Sequence, residues 1–251
     1  MDLNLAGKVA LVTGSSRGIG LHIANMFSQE GCKVILNGRN QNSLEAAISK
    51  ISNAHFVVGD VATVVGAGEV INNAIAIYGK LDILVCNVGS GTSVPPGSED
   101  EEEWLRVFRK NLLATTNTVA VARDFLAESG GVILCISSIC GSSAIDGAPI
   151  AYSASKAALN SFVSTSAYYL AKEKIRINAL APGNIVFDGS SWSKKLERSP
   201  SEVTAMLQKE VALARFGRPD ELASMAVFLC SDRASFATGT LFVLDGGQLR
   251  N

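Results

Sequence analysis

The stretch VALVTGSSRGIG, residues 9–20, decides the fold of this chain. A short apolar run at 9–12 leads into glycines at positions 14, 18 and 20, and an amphipathic segment follows. Glycine permits a tight turn and lets the backbone come close to a ligand. The free N–H groups and the positive dipole end of the following helix favour an anion. The order strand, glycine turn, helix therefore predicts a site for the pyrophosphate of a dinucleotide.

Short apolar runs recur along the chain, and most do not alternate polar with apolar residues, as expected for parallel strands covered on both faces. Helix-like amphipathic stretches separate them. This alternation predicts an α/β fold: a Rossmann-type, doubly wound parallel sheet of about seven strands with helices on both faces. No repeat or composition break divides residues 1–251, which predicts a single domain. The predicted strands are 9–12, 34–36, 56–58, 83–86, 132–136, 175–180 and 241–244, and the predicted helices 19–30, 43–51, 69–78, 101–126, 153–171 and 221–229.

One segment interrupts this rhythm. Residues 187–213, FDGSSWSKKLERSPSEVTAMLQKEVAL, mix charged and apolar residues between the sixth and seventh strands. An insertion there lies at the strand ends where ligands bind in open α/β sheets. We predict a mobile helical lid over the substrate. A helical excursion on the surface is the alternative.

Composition excludes several classes of function. With 47% hydrophobic and 18% charged residues, the chain is a globular protein, and its net charge of −1 predicts no attraction to nucleic acid or anionic membranes. The N-terminus does not read as a signal peptide, and no apolar run is long enough to span a membrane. We therefore expect a cytoplasmic protein. Two histidines and no CxxC pair predict no metal site, and the cysteines suit a reduced cytosol: Cys32, Cys86, Cys135, Cys140 and Cys230.

The acidic run at 99–103 reads as the start of a helix. Ser98 and Glu101 fit a capping box, and acids in a first turn complement the helix dipole. We interpret the run as a solvated helix start, with docking of a partner as the less favoured alternative.

The end of the second predicted strand indicates the nucleotide. Enzymes that prefer NAD place an acid there to hold the ribose 2′-hydroxyl. Here the sequence is VILNGRN, with Asn37, Gly38 and Arg39 where the acid is expected. Arg39 and Arg17, from the glycine turn, can converge on a 2′-phosphate. We predict NADP(H), with NAD(H) less favoured; the alternative is that both arginines are merely exposed.

A second motif, YSASK, supplies chemistry. Tyr152 and Lys156 are four residues apart, which places them on one face of a helix. A nearby ammonium favours the phenolate, so we expect Lys156 to lower the tyrosine pKa from its free value of about 10. Ser138, at the end of the fifth strand, can hydrogen-bond a carbonyl. Asn111 lies inside a predicted long helix, where an asparagine has little structural reason to be.

Taken together, the motifs resemble the short-chain dehydrogenase/reductase family over essentially the full length, with most likeness to 3-oxoacyl-carrier-protein reductases. The matching elements are TGSSRGIG at 13–20, Asp60 with Val61, CNVG at 86–89, Asn111, ISSICG at 136–141, YSASK at 152–156, APG at 181–183 and LDGG at 244–247.

The resemblance implies a role for each matching position. Tyr152 would be the acid/base that protonates the carbonyl oxygen, Lys156 would hold the ribose hydroxyls, and Ser138, rather than Ser137, would orient the carbonyl. Asn111 would anchor a water in the proton relay, and the family suggests a homotetramer. The implied cofactor-binding residues are Gly14, Ser16, Arg17, Gly18, Ile19, Gly20, Asn37, Arg39, Asp60, Val61, Asn87, Gly89, Tyr152, Lys156, Pro182, Gly183 and Ile185.

Two positions depart from the family pattern. Val88 replaces a small residue beside the cofactor, and Phe187 stands where the family often has a threonine that binds the carboxamide. The second departure weakens an assignment to fatty-acid synthesis.

Three functions remain open. The first is NADP(H)-dependent reduction of a ketone, such as a 3-oxoacyl thioester, to a secondary alcohol. The second is oxidation of a sugar, steroid or polyol alcohol, and the third is a catalytically silent nucleotide-binding regulatory protein. A small carbonyl or alcohol is the expected partner; a carrier-bound acyl group would need a basic docking patch. Candidates for that patch, or for scattered surface charge, are Lys194, Lys195, Arg198, Arg215 and Arg218.

Overall fold

A computed structural model describes residues 1–250. Seven parallel strands form one sheet in the order β3-β2-β1-β4-β5-β6-β7. This confirms the predicted Rossmann-type fold. The strands are β1 (Val9–Val12), β2 (Lys33–Gly38), β3 (Ala54–Val58), β4 (Ile83–Cys86), β5 (Val132–Ile136), β6 (Arg176–Pro182) and β7 (Leu241–Leu244).

Helices cover both faces of the sheet and connect its strands. They are α1 (Gly18–Gln29), α2 (Gln41–Ile48), α3 (Val64–Tyr78), α4 (Glu101–Phe108), α5 (Ala114–Ser129), α6 (Ile150–Ala171), α7 (Ser191–Arg198), α8 (Pro200–Glu210) and α9 (Pro219–Cys230).

The core consists of two apolar layers, one on each side of the sheet. Successive residues of a strand point to opposite faces. Accordingly, Val9 and Leu11 belong to the layer that α3, α5 and α6 cover, while Ala10 and Val12 belong to the layer under α1 and α9. All four are fully buried, which explains why the first strand reads as a continuous apolar run.

The predicted helix 101–126 is not continuous. A π-helical turn, Arg109–Leu113, separates α4 from α5 and contains Asn111. Such turns insert one extra residue per turn and frequently occur at functional sites. The first helix of this pair also begins differently from the prediction, because Asp100 rather than Ser98 is its N-cap and accepts a hydrogen bond from the Glu103 N–H at 2.8 Å.

The insertion at 187–213 contains α7 and α8. Val203, Leu207 and Val211 form a small apolar cluster of their own, separate from the two layers of the sheet. Trp192 on α7 packs against Phe216, with ring centroids 5.3 Å apart. The segment is therefore a helical hairpin attached beside the carboxyl end of β6.

Among residues 1–250, no helix has the length and apolar character needed to cross a membrane. The same residues contain no group of three His, Cys, Asp or Glu side chains close enough to hold a metal ion.

Candidate active site

A cleft of about 1350 Å³ opens at the carboxyl ends of the strands. It lies where the strand order reverses between β1 and β4, the position at which open α/β sheets bind ligands. Of the residues predicted for the site, only Asn111 does not line it. The others do: Gly14, Ser16, Arg17, Gly18, Ile19, Gly20, Asn37, Arg39, Asp60, Val61, Asn87, Gly89, Ser138, Tyr152, Lys156, Pro182, Gly183 and Ile185.

The glycine turn forms a cradle with no room for side chains. A Cβ on Gly20 would lie 2.5 Å from Asn87 Nδ2 and 2.7 Å from the Gly14 carbonyl oxygen. Asn87 holds this turn against β4, because its amide donates to the carbonyl oxygens of Thr13 and Gly14, each at 3.0 Å. The N-cap of α1, Arg17, provides no side-chain cap, so the first N–H groups of the helix face the cleft. These features fit a pyrophosphate.

Beside the turn, Arg17 and Arg39 both line the cleft. Arg39 lies 3.7 Å from Asp60, and both side chains are largely accessible to solvent. Asn37 differs from the other predicted nucleotide ligands. It is buried, and its amide donates to the carbonyl oxygens of Val57 and Gly59, each at 3.2 Å. Its side chain therefore joins the ends of β2 and β3.

Tyr152 and Lys156 lie on one face of α6 and both line the cleft. The lysine Nζ lies 6.0 Å from the tyrosine ring centroid and donates a hydrogen bond of 2.8 Å to the Ile136 carbonyl oxygen at the end of β5. Lys156 is only 3% exposed. A Cβ on Gly89 would lie 3.2 Å from this Nζ and 2.9 Å from Asn111 Oδ1, so the lysine and the asparagine meet at the glycine that follows β4.

Burial controls the protonation of this pair. It raises the pKa of Tyr152 to about 12, against the opposing effect of the Ser138 side chain. It also lowers the pKa of Lys156 to about 8. The prediction that Lys156 lowers the tyrosine pKa is therefore wrong for the chain alone, because the ammonium is bound to a backbone carbonyl and is itself desolvated. The phenol keeps its proton at neutral pH.

The two serines after β5 have different surroundings. Ser137 Oγ donates to Asn160 Oδ1 at 2.5 Å, so its proton is already engaged. Ser138 interacts with Tyr152, and its Oγ accepts a hydrogen bond from the Cys140 N–H at 3.2 Å. Because Ser138 Oγ accepts this bond, its hydroxyl proton remains available to donate to another acceptor. Both serines line the cleft, and the contact of Ser138 with Tyr152 supports the choice of Ser138, which stays a prediction.

Asn111 is buried beneath the cleft. Its Oδ1 accepts from the Ser90 N–H at 2.8 Å, and its Nδ2 donates to the carbonyl oxygens of Ser90 and Val107. The asparagine thus has a structural reason to lie in the helical region: it fastens the loop after β4 to the π-helical turn. The sequence pattern identified the position but not these contacts.

Phe187 covers the glycine turn. A Cβ on Gly18 would lie 2.6 Å from Cε2 of Phe187, so the ring packs directly on the Gly18 backbone. Gly18 has a φ of +59°, in the region that favours glycine. The aromatic ring therefore forms a wall of the cleft at the position where the family often carries a threonine.

Two carboxylates of the acidic run are structural. Glu99 accepts hydrogen bonds from the Ile150 N–H, at 2.9 Å, and the Gly97 N–H, so it caps the helix that bears Tyr152. Glu103 accepts from Ser93 Oγ and pairs with Arg106. The interpretation of the whole run as a solvated helix start therefore holds only in part. Glu99 and the helix start that it caps are 51 positions apart, so no local sequence pattern predicts this contact.

Sequence patterns also missed Lys110, which precedes Asn111 and lines the cleft. Its only signal was its place beside a residue already singled out. Of the basic residues considered for a docking patch, Lys194 and Lys195 line the cleft. Arg215 and Arg218 instead form ion pairs with Glu221.

Comparison with known proteins gives consistent matches over the whole chain. The family model described as enoyl-(acyl carrier protein) reductase matches residues 14–248. The 3-oxoacyl-(acyl-carrier-protein) reductase of Chlamydia trachomatis is 33% identical, over 97% of this chain and 98% of its own length.

Two solved structures show how widely this likeness extends. The crystal structure of L-sorbose reductase from Gluconobacter frateurii, complexed with NADPH and L-sorbose, superposes with a TM-score of 0.94 at 32% identity and covers 100% of both chains. A 7α-hydroxysteroid dehydrogenase complexed with NADH and an oxo bile acid superposes with a TM-score of 0.90 at 28% identity, over 100% of this chain and 97% of its own. The fold and cleft are thus shared by proteins with different substrates.

Proposed function

The chain belongs to the short-chain dehydrogenase/reductase family and is an oxidoreductase of CH–OH and C=O groups, and from this premise we propose that it reduces a ketone to a secondary alcohol with NADP(H). The observation that carries the proposal is the convergence of Tyr152, Ser138 and Lys156 beside the glycine cradle in one cleft.

The residues of the cleft fit a dinucleotide. The glycine cradle and the free N–H groups of α1 would take the pyrophosphate, Asp60 and Val61 would border the adenine, and Pro182 and Ile185 would flank the nicotinamide. When bound and reduced, the nicotinamide supplies the hydride for the carbonyl carbon.

Tyr152 supplies the proton. Because its pKa is raised to about 12, the phenol is protonated throughout the physiological pH range and can donate to the carbonyl oxygen of the substrate. The Ser138 hydroxyl lies on the same oxygen-binding side and can donate a second hydrogen bond to that oxygen, which stabilises the developing negative charge. Lys156, held by the Ile136 carbonyl, keeps two further N–H donors for ribose hydroxyls.

Tyr152→Phe tests this chemistry. The substitution removes the phenolic hydroxyl and leaves the aromatic ring in place. We expect turnover to fall by at least about a hundredfold, the usual contribution of a positioned acid, while binding of NADPH is unchanged. Unchanged turnover would refute the assignment. A wild-type protein that binds NADPH but turns over no carbonyl or alcohol would favour the silent regulatory protein instead.

The preference for NADP(H) rests on Arg17 and Arg39. No acid stands at the end of β2, and the guanidinium of Arg39 lies there instead. Guanidinium groups match phosphate in both geometry and charge. Comparing kcat/KM for NADPH and NADH tests the preference, and equal values would remove the proposed role of both arginines. NADH in the related hydroxysteroid dehydrogenase makes this comparison necessary.

For the substrate, a ketone of the 3-oxoacyl type is the first candidate. The named relatives act on acyl, sugar and steroid compounds. Full coverage at a TM-score of 0.94 against L-sorbose reductase favours a sugar or polyol as the second candidate. A panel of acyl thioesters, ketoses and hydroxysteroids, followed by the absorbance of NADPH, distinguishes them.

We further propose that 187–213 acts as a lid and that the protein is a homotetramer. The hairpin of α7 and α8 has its own apolar cluster, and Lys194 and Lys195 on α7 line the cleft. For the assembly, Tyr168 and Tyr169 on α6 are 70% and 64% exposed, and exposed apolar surface is a feature of protein–protein contacts. Light scattering coupled to size exclusion measures the mass; a monomer would refute the second proposal.

A further inference from the structure

Three cations converge at the edge of the cleft. Arg17 comes from the glycine turn, Arg39 from the end of β2, and Lys110 from the π-helical turn between α4 and α5. All three line the same cleft. Lys110 is half-buried, whereas its neighbour Arg109, which also lines the cleft, is exposed.

The local charge is unbalanced. Within residues 1–250, Arg17 and Lys110 have no carboxylate within ion-pairing distance, and the only carboxylate paired with Arg39 is Asp60, at 3.7 Å. Arg106, on α4, does not add to the surplus, because Glu103 binds it at two nitrogens, at 2.5 and 2.7 Å. The three cations therefore share one ion-paired carboxylate, which leaves a surplus of two positive charges.

The neighbouring cations disfavour the charged form of Lys110. Burial lowers the pKa of Lys110, and the guanidiniums of Arg39, Arg106 and Arg17 lower it further, while Asp60 has the opposite effect. A bound anion would remove this repulsion. A phosphate monoester carries a charge of about −1.5 to −2 at pH 7, which matches the surplus.

The position of the cluster identifies the phosphate. The pyrophosphate would lie on the N–H groups of α1, whereas Arg39 follows β2, the strand whose end faces the ribose 2′-position in dinucleotide-binding sheets. We propose that Lys110 is a third ligand of the 2′-phosphate of NADP(H), together with Arg17 and Arg39. This inference rests on the proposed preference for NADP(H) and names a residue that sets it.

A lysine is suited to this place. It meets phosphate as a point charge on a flexible stem, whereas the arginines supply planar forks. Lys110 also adjoins Asn111, whose three hydrogen bonds fix the π-helical turn. The ammonium therefore reaches the phosphate from a backbone that is already rigid, so less conformational entropy is lost on binding.

The test compares ligands that differ only in the 2′-phosphate. Calorimetry measures the Kd of adenosine 2′,5′-bisphosphate and of 5′-AMP for the wild type and for Lys110→Met, which keeps the length of the side chain. Removing one charge-assisted contact is expected to weaken the bisphosphate about tenfold and AMP less than about twofold. Lys110→Arg should retain most of the affinity for the bisphosphate.

Arg109→Met is the matched control, since it removes a positive charge from the adjacent position of the same turn. If it weakens the bisphosphate as much as Lys110→Met does, the effect is one of general potential and the proposal is refuted. Equal loss for both nucleotides in Lys110→Met would also refute it. If the wild type binds both nucleotides equally well, the proposed NADP(H) preference itself is overturned. If the wild type prefers the bisphosphate and Lys110→Met keeps that preference, only the role of Lys110 is refuted.

Discussion

The same substitution at two glycines should have opposite effects. Gly20 is the third residue of α1, and Gly68 lies within α3. Alanine favours a helix over glycine by about 1 kcal/mol, so this gain applies at both sites. A Cβ on Gly68 meets nothing within 4 Å. Gly68→Ala should therefore stabilise the fold by up to about 1 kcal/mol.

At Gly20 the new methyl group would lie 2.5 Å from Asn87 Nδ2 and 2.7 Å from the Gly14 carbonyl oxygen, whereas ordinary contacts are 3.4–4 Å. The carbonyl belongs to the glycine turn, and the amide is held by two hydrogen bonds, so neither moves freely. Overpacking of this kind costs about 1–3 kcal/mol. After the helix gain, Gly20→Ala should destabilise the fold by about 1 kcal/mol and displace the N–H groups that would bind pyrophosphate.

Guanidinium unfolding and fluorescence titration with NADPH measure both effects. We expect the two variants to differ in stability by about 2 kcal/mol. The Kd for NADPH should rise at least about tenfold in Gly20→Ala and stay unchanged in Gly68→Ala. If Gly20→Ala is as stable as Gly68→Ala and binds NADPH with the wild-type Kd, the turn is not the close-fitting cradle described above. Far-UV circular dichroism ensures that binding is compared between folded proteins.

Three further predictions concern the reaction centre. Ser138→Ala should lower kcat by about a hundredfold or more, as loss of an oxyanion donor does. Ser137→Ala should keep most of the activity, because the Ser137 hydroxyl is bound to Asn160. Steady-state kinetics with the substrate identified by the panel measure both variants, and a larger loss in Ser137→Ala would disprove the assignment. Lys156→Met should abolish activity yet stabilise the fold at pH 7 by about 2 kcal/mol. Burial lowers the lysine pKa from 10.5 to about 8, which costs the folded state about 1.4 kcal/mol per pKa unit. The substitution removes this cost, and loss of the hydrogen bond to Ile136 offsets part of the gain. The penalty is complete below pH 8 and disappears as the pH rises towards 10.5, so the difference in unfolding free energy should shrink at pH 10; a constant or growing difference would contradict the burial argument. Asn111→Ala removes three hydrogen bonds and should destabilise the fold by about 3 kcal/mol at about 1 kcal/mol each, and an unchanged denaturation midpoint would show that the loop after β4 does not depend on this residue.

Features with a local cause were predictable from the sequence. The four runs at β1, β4, β5 and β7 match their predicted bounds. The first three are buried on both faces and therefore apolar throughout, whereas β7 is apolar although it lies partly exposed at the edge of the sheet. The glycine turn was predictable because only glycine satisfies its close contacts. The sequence also predicted that one cleft would contain Tyr152, Lys156 and Ser138, because of the helix spacing of the first two and because parallel strands end at one edge of the sheet.

Features that depend on distant contacts were not predictable. The π-helical turn depends on the bonds between Asn111 and Ser90, which are 21 positions apart. The capping of α6 by Glu99 joins residues 51 positions apart. Burial raises the pKa of Tyr152, which no spacing rule reports, so the expected lowering of this pKa was wrong for the chain alone. In each case the tertiary surroundings outweighed the local pattern.

Three local irregularities lie at the cleft. A lysine is buried to 3% exposure, a helix is widened by a π-helical turn, and a glycine adopts a φ of +59° beneath an aromatic ring. Burial of the lysine costs stability, and all three features lie at the cleft rather than within the two apolar layers. A rigid sheet can hold such features in place because its own strands contain none of them. The same division explains how relatives with this fold act on acyl, sugar and steroid compounds: the layers keep the strand ends fixed, and the side chains that follow those ends determine what is bound.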